Sequence, residues 1–300
     1  MTSQAFFLEV DNGQRFCLFH PARLQGTGTP RGQVVYIHPF TEEMNKSRRM
    51  AAMQARALAN AGFDVLQIDL LGCGDSSGDF GDATWEAWLQ DVTVACQWLH
   101  AHHRAREGHS ALPTLWLWGL RAGCLLASQA AQRLPVPCNF LFWAPAISGK
   151  PLLQQFLRLK AAADLSSGNA KAVMQAMRAD LAQGVPVEVA GYLLAPALST
   201  GLEHAVLAPP TSDQPGRAPC RVVWIELSTR DDASLSPVSV KGIGEWQAAG
   251  CDVQSQLVNG PAFWQTTEIE DAPALIATTT AALTVKQQTP ADGFAPPALL

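Results

Sequence analysis

Residues 115–130, LWLWGLRAGCLLASQA, place a glycine on each side of a three-residue tip, Leu120-Arg121-Ala122. A buried strand that turns sharply into a helix is how G-x-S-x-G motifs present a serine nucleophile. The tip of such a turn is forced into an unfavourable φ/ψ region, at a cost of about 1–3 kcal/mol. The residues two before and two after it must be small, and Gly119 and Gly123 meet that need. The helix that follows aims its first N–H groups at the pocket, where they stabilise negative charge. The tip here is Arg121, which offers no hydroxyl to attack with.

A hydrolytic triad on this frame runs in the order nucleophile, acid, histidine. The segment STRDDASLSP, after the apolar run VVWIEL, offers Asp231 and Asp232 as the acid. The histidine belongs after VQSQLVNG, but that loop reads PAFWQTTEIE, with Phe263 or Trp264 near its place. The seven histidines stand at 20, 38, 100, 102, 103, 109 and 204, so none lies beyond residue 204. A general base contributes roughly 10²–10⁴-fold in rate, so its loss weighs heavily against ordinary hydrolysis. Ser76 or Ser77 with His38 is a weak substitute, outweighed by a structural role for the Gly-Asp-Ser turn. Cys124 is expected to face the sheet. A partial oxyanion hole remains conceivable, with one N–H from Phe40 or Thr41, because Pro39 has none, and a second from Ala122.

Arg121 keeps its charge at any ordinary pH and needs acceptors when enclosed. Asp231 or Asp232 is the first choice of partner, Glu42 or Glu43 the second. Either the pair plugs the centre, or Arg121 stays free to bind a small anionic or acyl ligand. Trp264 is expected at the pocket rim, where it would line an apolar site.

These residues need a frame. AFFLEV and RFCLFH flank an Asn12-Gly13 turn and read as an edge hairpin. GQVVYI, FDVLQID, LWLWGL, CNFLFW and CRVVWIEL read as buried strands, with amphipathic helices between most of them. Helical spacing starts at Ser47 and stops at Gly62. The expected fold is α/β, a mostly parallel sheet covered by helices on both faces. Residues 1–146 and 211–285 form the core, 147–210 a helical lid insertion, and 286–300 a loose tail. Within the insertion, VPVEVAGYLLAPALSTGLEHAVL is ambiguous.

The net charge of −5 argues against nucleic acid. No uncharged run reaches the ~18 residues of a membrane span, and the first residues lack the long apolar core of a signal peptide. Seven scattered cysteines without a C-x-x-C suggest free thiols in the cytoplasm. HAHHRAREGH, residues 100–109, reads as a solvated loop after a helix end rather than a metal site. No metal and no cofactor is expected. NKSRR, residues 45–49, reads as a solvated basic face.

The segments HPFTEEMNKSRRM, DLLGCGDSSGDF, WGLRAG, VEVAGYLLAPAL and GPAFWQTTEIEDAPAL together resemble the α/β-hydrolase superfamily. More narrowly, they resemble the exosortase A system-associated hydrolases of the second type. The resemblance spans roughly residues 5–285 and makes an elbow arginine a feature of the subgroup. It implies an ester or thioester hydrolase or acyltransferase, or a protein partner in an exopolysaccharide and protein-sorting system. The residues themselves point instead to a catalytically degenerate site.

Overall fold

The computed structural model describes residues 2–24, 28–107, 111–163, 170–210 and 220–285. The expected tail, 286–300, lies outside them. Eight described strands form one sheet: β1 (Gln4–Val10), β2 (Gly13–His20), β3 (Gly32–Ile37), β4 (Phe63–Ile68), β5 (Leu115–Leu120), β6 (Cys138–Trp143), β9 (Arg221–Ser228) and β10 (Asp252–Asn259). Their spatial order is β1-β2-β4-β3-β5-β6-β9-β10. The β1–β2 hairpin and the β2–β4 pair are antiparallel, and the remaining neighbours are parallel.

All six residues of β3 and all six of β5 are buried, as strands covered on both faces require. One face packs on α1 (Glu42–Asn60) and α8 (Pro273–Thr284). The other packs on α2 (Trp85–Glu107), α3 (Ala122–Ala131) and α7 (Pro237–Ala248).

Between β6 and β9 the chain leaves the sheet. It forms α4 (Gly149–Ala163), α5 (Ala170–Ala182), a short antiparallel hairpin of β7 (Val187–Val189) and β8 (Tyr192–Leu194), and α6 (Pro196–His204). The ambiguous segment is therefore strand and helix in turn, with Ala190 (φ 50°) and Gly191 (φ 83°) making the hairpin turn. The insertion is clamped closely. A Cβ at Gly201 of α6 would lie 2.1 Å from Trp85 Cβ, so α6 meets α2 at backbone range.

Three expectations need correction. Helix α1 begins at Glu42, five residues before the apolar spacing starts, because Thr41 makes the turn (φ 49°, ψ −127°). Residues 100–107 are the last turns of α2 and not a loop. His103 is buried there, while His102 stacks on Trp98 with ring centroids 4.8 Å apart. Cys220 and Cys251 form a disulfide, whereas free thiols were expected. They directly precede the paired residues Arg221 and Asp252, so the parallel register of β9 and β10 sets their Cα atoms 4.9 Å apart. The other five cysteines are buried.

Candidate functional site

The elbow is built as its glycines require. Arg121 sits between β5 and α3 with φ 56° and ψ −115°, a region disfavoured for any side chain with a Cβ. Its N–H donates to the Trp143 carbonyl at 3.1 Å, and its carbonyl accepts from Cys124 N–H at 3.1 Å. A Cβ on Gly119 would lie 2.5 Å from the Cys124 nitrogen, and one on Gly123 2.2 Å from the Ile37 carbonyl oxygen. Only glycine lets strand and helix approach this closely. Cys124 faces inward, its Sγ 3.9 Å from the Trp143 carbonyl, and burial pushes its thiol pKa up. It is a packed thiol rather than an available nucleophile.

The guanidinium of Arg121 reaches Glu43 and not the acid loop. Its Nε lies 3.4 Å from Glu43 Oε1, and both side chains are less than one-fifth exposed. Its Cζ also stands 5.7 Å from the centre of the Trp264 ring, within cation–π range. Burial raises the pKa of Glu43, and the charge of Arg121 offsets part of that rise. Glu43 Oε1 also accepts from Gln265 Nε2 at 3.4 Å, while buried Oε2 has no partner among the described residues. The first choice of partner is therefore corrected. Asp231 and Asp232 are exposed, and Asp231 instead accepts from Asn259 Nδ2 at 3.4 Å. The early start of α1 explains the change, since Glu43 falls in its first turn.

Glu226, at the end of β9, is the engaged acid of that region, and no residue pattern points to it. It accepts from Ser236 N–H and Oγ at 3.0 Å each, and from the Ser239 hydroxyl. These bonds fix the start of α7.

The substitute dyad does not assemble. His38 is buried, and the bonds at its two ring nitrogens assign the proton to Nδ1. Nδ1 donates to the Pro39 carbonyl at 2.8 Å, and Nε2 accepts from Leu70 N–H at 3.3 Å. Burial lowers its pKa and keeps it neutral. Ser76 Oγ donates to the Asp69 carbonyl at 2.5 Å and accepts from Phe16 N–H at 2.9 Å. Ser77 Oγ accepts from Gln14 N–H at 2.9 Å. Both hydroxyls tie the glycine-rich loop to β2. Phe40, Thr41 and Ala122 are buried around the elbow, where the oxyanion donors were expected.

The loop after β10 is packed where a histidine would stand. Phe263 is fully buried, edge-on to Trp143 at 6.1 Å and to Trp264 at 5.0 Å. Trp264 is buried too, not at a rim. One stripe of α1 pins this loop. Glu43 meets Gln265, Lys46 Nζ donates to the Thr266 carbonyl at 2.7 Å, and Arg49 grips Asp271 with bonds of 2.7 and 2.8 Å. The spacing 43, 46, 49 is the sequence signal that points to this face. Asn45, Arg48 and Arg49 of NKSRR are exposed, as the solvated reading expects, and Lys46 and Arg49 each also have a defined partner.

Residues 28–198 match the family described as serine aminopeptidase, S33. A stretch of 118 residues is 31% identical to human protein ABHD12B, covering 39% of this chain and 28% of that protein. Among solved structures, Est1E from Butyrivibrio proteoclasticus with ferulic acid bound aligns with a TM-score of 0.61 at 14% identity, over 93% of this chain and 96% of that one. The monoglyceride lipase of Saccharomyces cerevisiae aligns with a TM-score of 0.59 at 14% identity, over 94% and 95%. At these identities the structural likeness shows the fold alone.

Proposed function

The chain belongs to the serine aminopeptidase S33 family of α/β-hydrolases, and from that premise we propose that it has exchanged hydrolysis for binding. The elbow tip is a permanent cation where the family's chemistry needs a hydroxyl. The observation that carries the reading is the Arg121–Glu43–Trp264 cluster at that tip. The chain also holds no histidine beyond residue 204 to act as base. Arg121 has five N–H donors, and its contact with Glu43 is long and single. The remaining donors, with Ala122 N–H at the head of α3, suit a small carboxylate, phosphate or acyl group.

The insertion 147–210 acts as a lid over this site in the same reading. The resemblance to exosortase-associated hydrolases supports placing the protein beside exopolysaccharide and sorting enzymes. No described helix is long and apolar enough to cross a membrane.

The test is turnover of p-nitrophenyl butyrate by the wild type and by Arg121→Ser. Neither should hydrolyse it above background, because the variant regains an oxygen but no base. Inorganic phosphate, which has no apolar body, should raise the melting temperature of the wild type and not that of Arg121→Ala. Esterase turnover by the wild type would overturn the reading and favour a working hydrolase with an unusual site.

A further inference from the structure

A second stripe of α1 faces the opposite way and borders a cavity of about 170 Å³ that the elbow does not use. Its floor is apolar, made by Phe16 and Leu18 of β2 and Ile68 of β4. Its polar groups are Tyr36, His38, Arg48, Gln67 and Asp69. A small concave site with an apolar body and a few convergent polar groups is the usual form of a ligand pocket.

The volume and chemistry narrow the occupant. A dry cavity of ~150 Å³ holds one benzene ring, so this one suits a single ring or a short branched chain. Tyr36 lines the cavity, with 5% of its surface exposed. Arg48 donates from one amino nitrogen to Asp69 Oδ2 at 3.1 Å, and its side chain is 44% exposed. The rest of its planar fork is open to a carboxylate. Asp69 Oδ2 is already engaged, accepting from Arg48 and from Asp75 N–H at 3.2 Å.

We propose that this cavity is a second binding site, for a small monocarboxylate with a single-ring or short branched apolar body. The body lies on Phe16, Leu18 and Ile68, and the carboxylate meets Arg48. The site does not depend on Arg121, so it stands or falls apart from the reading of the elbow.

The experiment is calorimetric titration of the full chain with sodium benzoate, and with benzamide as the uncharged analogue. Wild type should bind benzoate with a Kd near or below about 1 mM, and benzamide roughly tenfold or more weakly. Arg48→Gln should weaken benzoate by a similar factor. In the Arg121→Ala background, which removes the elbow as a carboxylate site, Ala52→Phe, which fills the cavity from α1, should abolish benzoate binding and keeps the test open if Arg48→Gln does not fold. Benzoate binding should persist in Arg121→Ala. The proposal is overturned if Arg121→Ala shows no saturable benzoate binding, or if that binding survives when Ala52→Phe is added to it.

Discussion

The elbow at 119–123 and the loop at 260–271 face each other, and in the proposed reading they depart from hydrolytic machinery in different ways. The elbow keeps every backbone feature of a nucleophile turn, including a strained tip and two glycines at contact distance. Only the tip side chain is foreign to the chemistry. The loop keeps nothing of a catalytic base. Its centre is Phe263 and Trp264, buried against Trp143 and against one stripe of α1. The difference teaches that the elbow is also a packing device. It joins β5 to α3 whatever its tip does, whereas a histidine loop without its histidine is free to become core.

The sharpest way to break this comparison is Gly123→Val. Its Cβ would press on the Ile37 carbonyl oxygen, a backbone atom that cannot step aside. The loss should exceed about 4 kcal/mol, seen as failure to fold or as a large fall in urea midpoint. A variant with wild-type stability would show that the elbow backbone is not under constraint. Phe263→Ala comes next. Removing a fully buried ring should cost about 3–5 kcal/mol. A change under about 1 kcal/mol would mean the loop is not core.

A smaller effect concerns pH. The pKa of Glu43 in the folded chain is raised above the ordinary 4.5. Above pH 4.5 the unfolded chain therefore loses this proton while the folded chain still holds it. Stability from this group falls as pH rises from 4.5 to the folded value and is then level. Arg121→Gly removes the offsetting charge, so the fall should extend to higher pH. Glu43→Gln should abolish it, as read from unfolding midpoints between acid and neutral pH. An unchanged profile in both variants would separate Glu43 from Arg121. The smallest effect is expected for Arg49→Ala. Its partner Asp271 is on the surface, and solvent screens the pair, so the midpoint should not move measurably.

Much of this was legible in residues. Gly119 and Gly123 declared the turn, buried β-branched runs declared the strands, and Asn12-Gly13 declared the hairpin. Local backbone demands leave local signals. The absence of a late histidine was equally readable. The partner of Arg121 was not, because it depended on where α1 begins. Glu42-Glu43 carry no apolar spacing, and Thr41 makes the helix turn without a side-chain cap. The Cys220–Cys251 bond was hidden for a related reason. The two lie 31 positions apart in sequence, and only the β9–β10 register shows them to be neighbours. The engaged acid, Glu226, lay inside a strand rather than in the loop where acids are sought.

The central claim is that no nucleophile is activated at this pocket mouth. Intact-mass spectrometry after incubation with a fluorophosphonate tests it most directly, since that probe needs an activated oxygen but no turnover. The account predicts an unchanged mass for the wild-type chain under conditions that fully label a serine esterase. A single stoichiometric adduct on Ser76, Ser77 or any other hydroxyl of the cleft would contradict it.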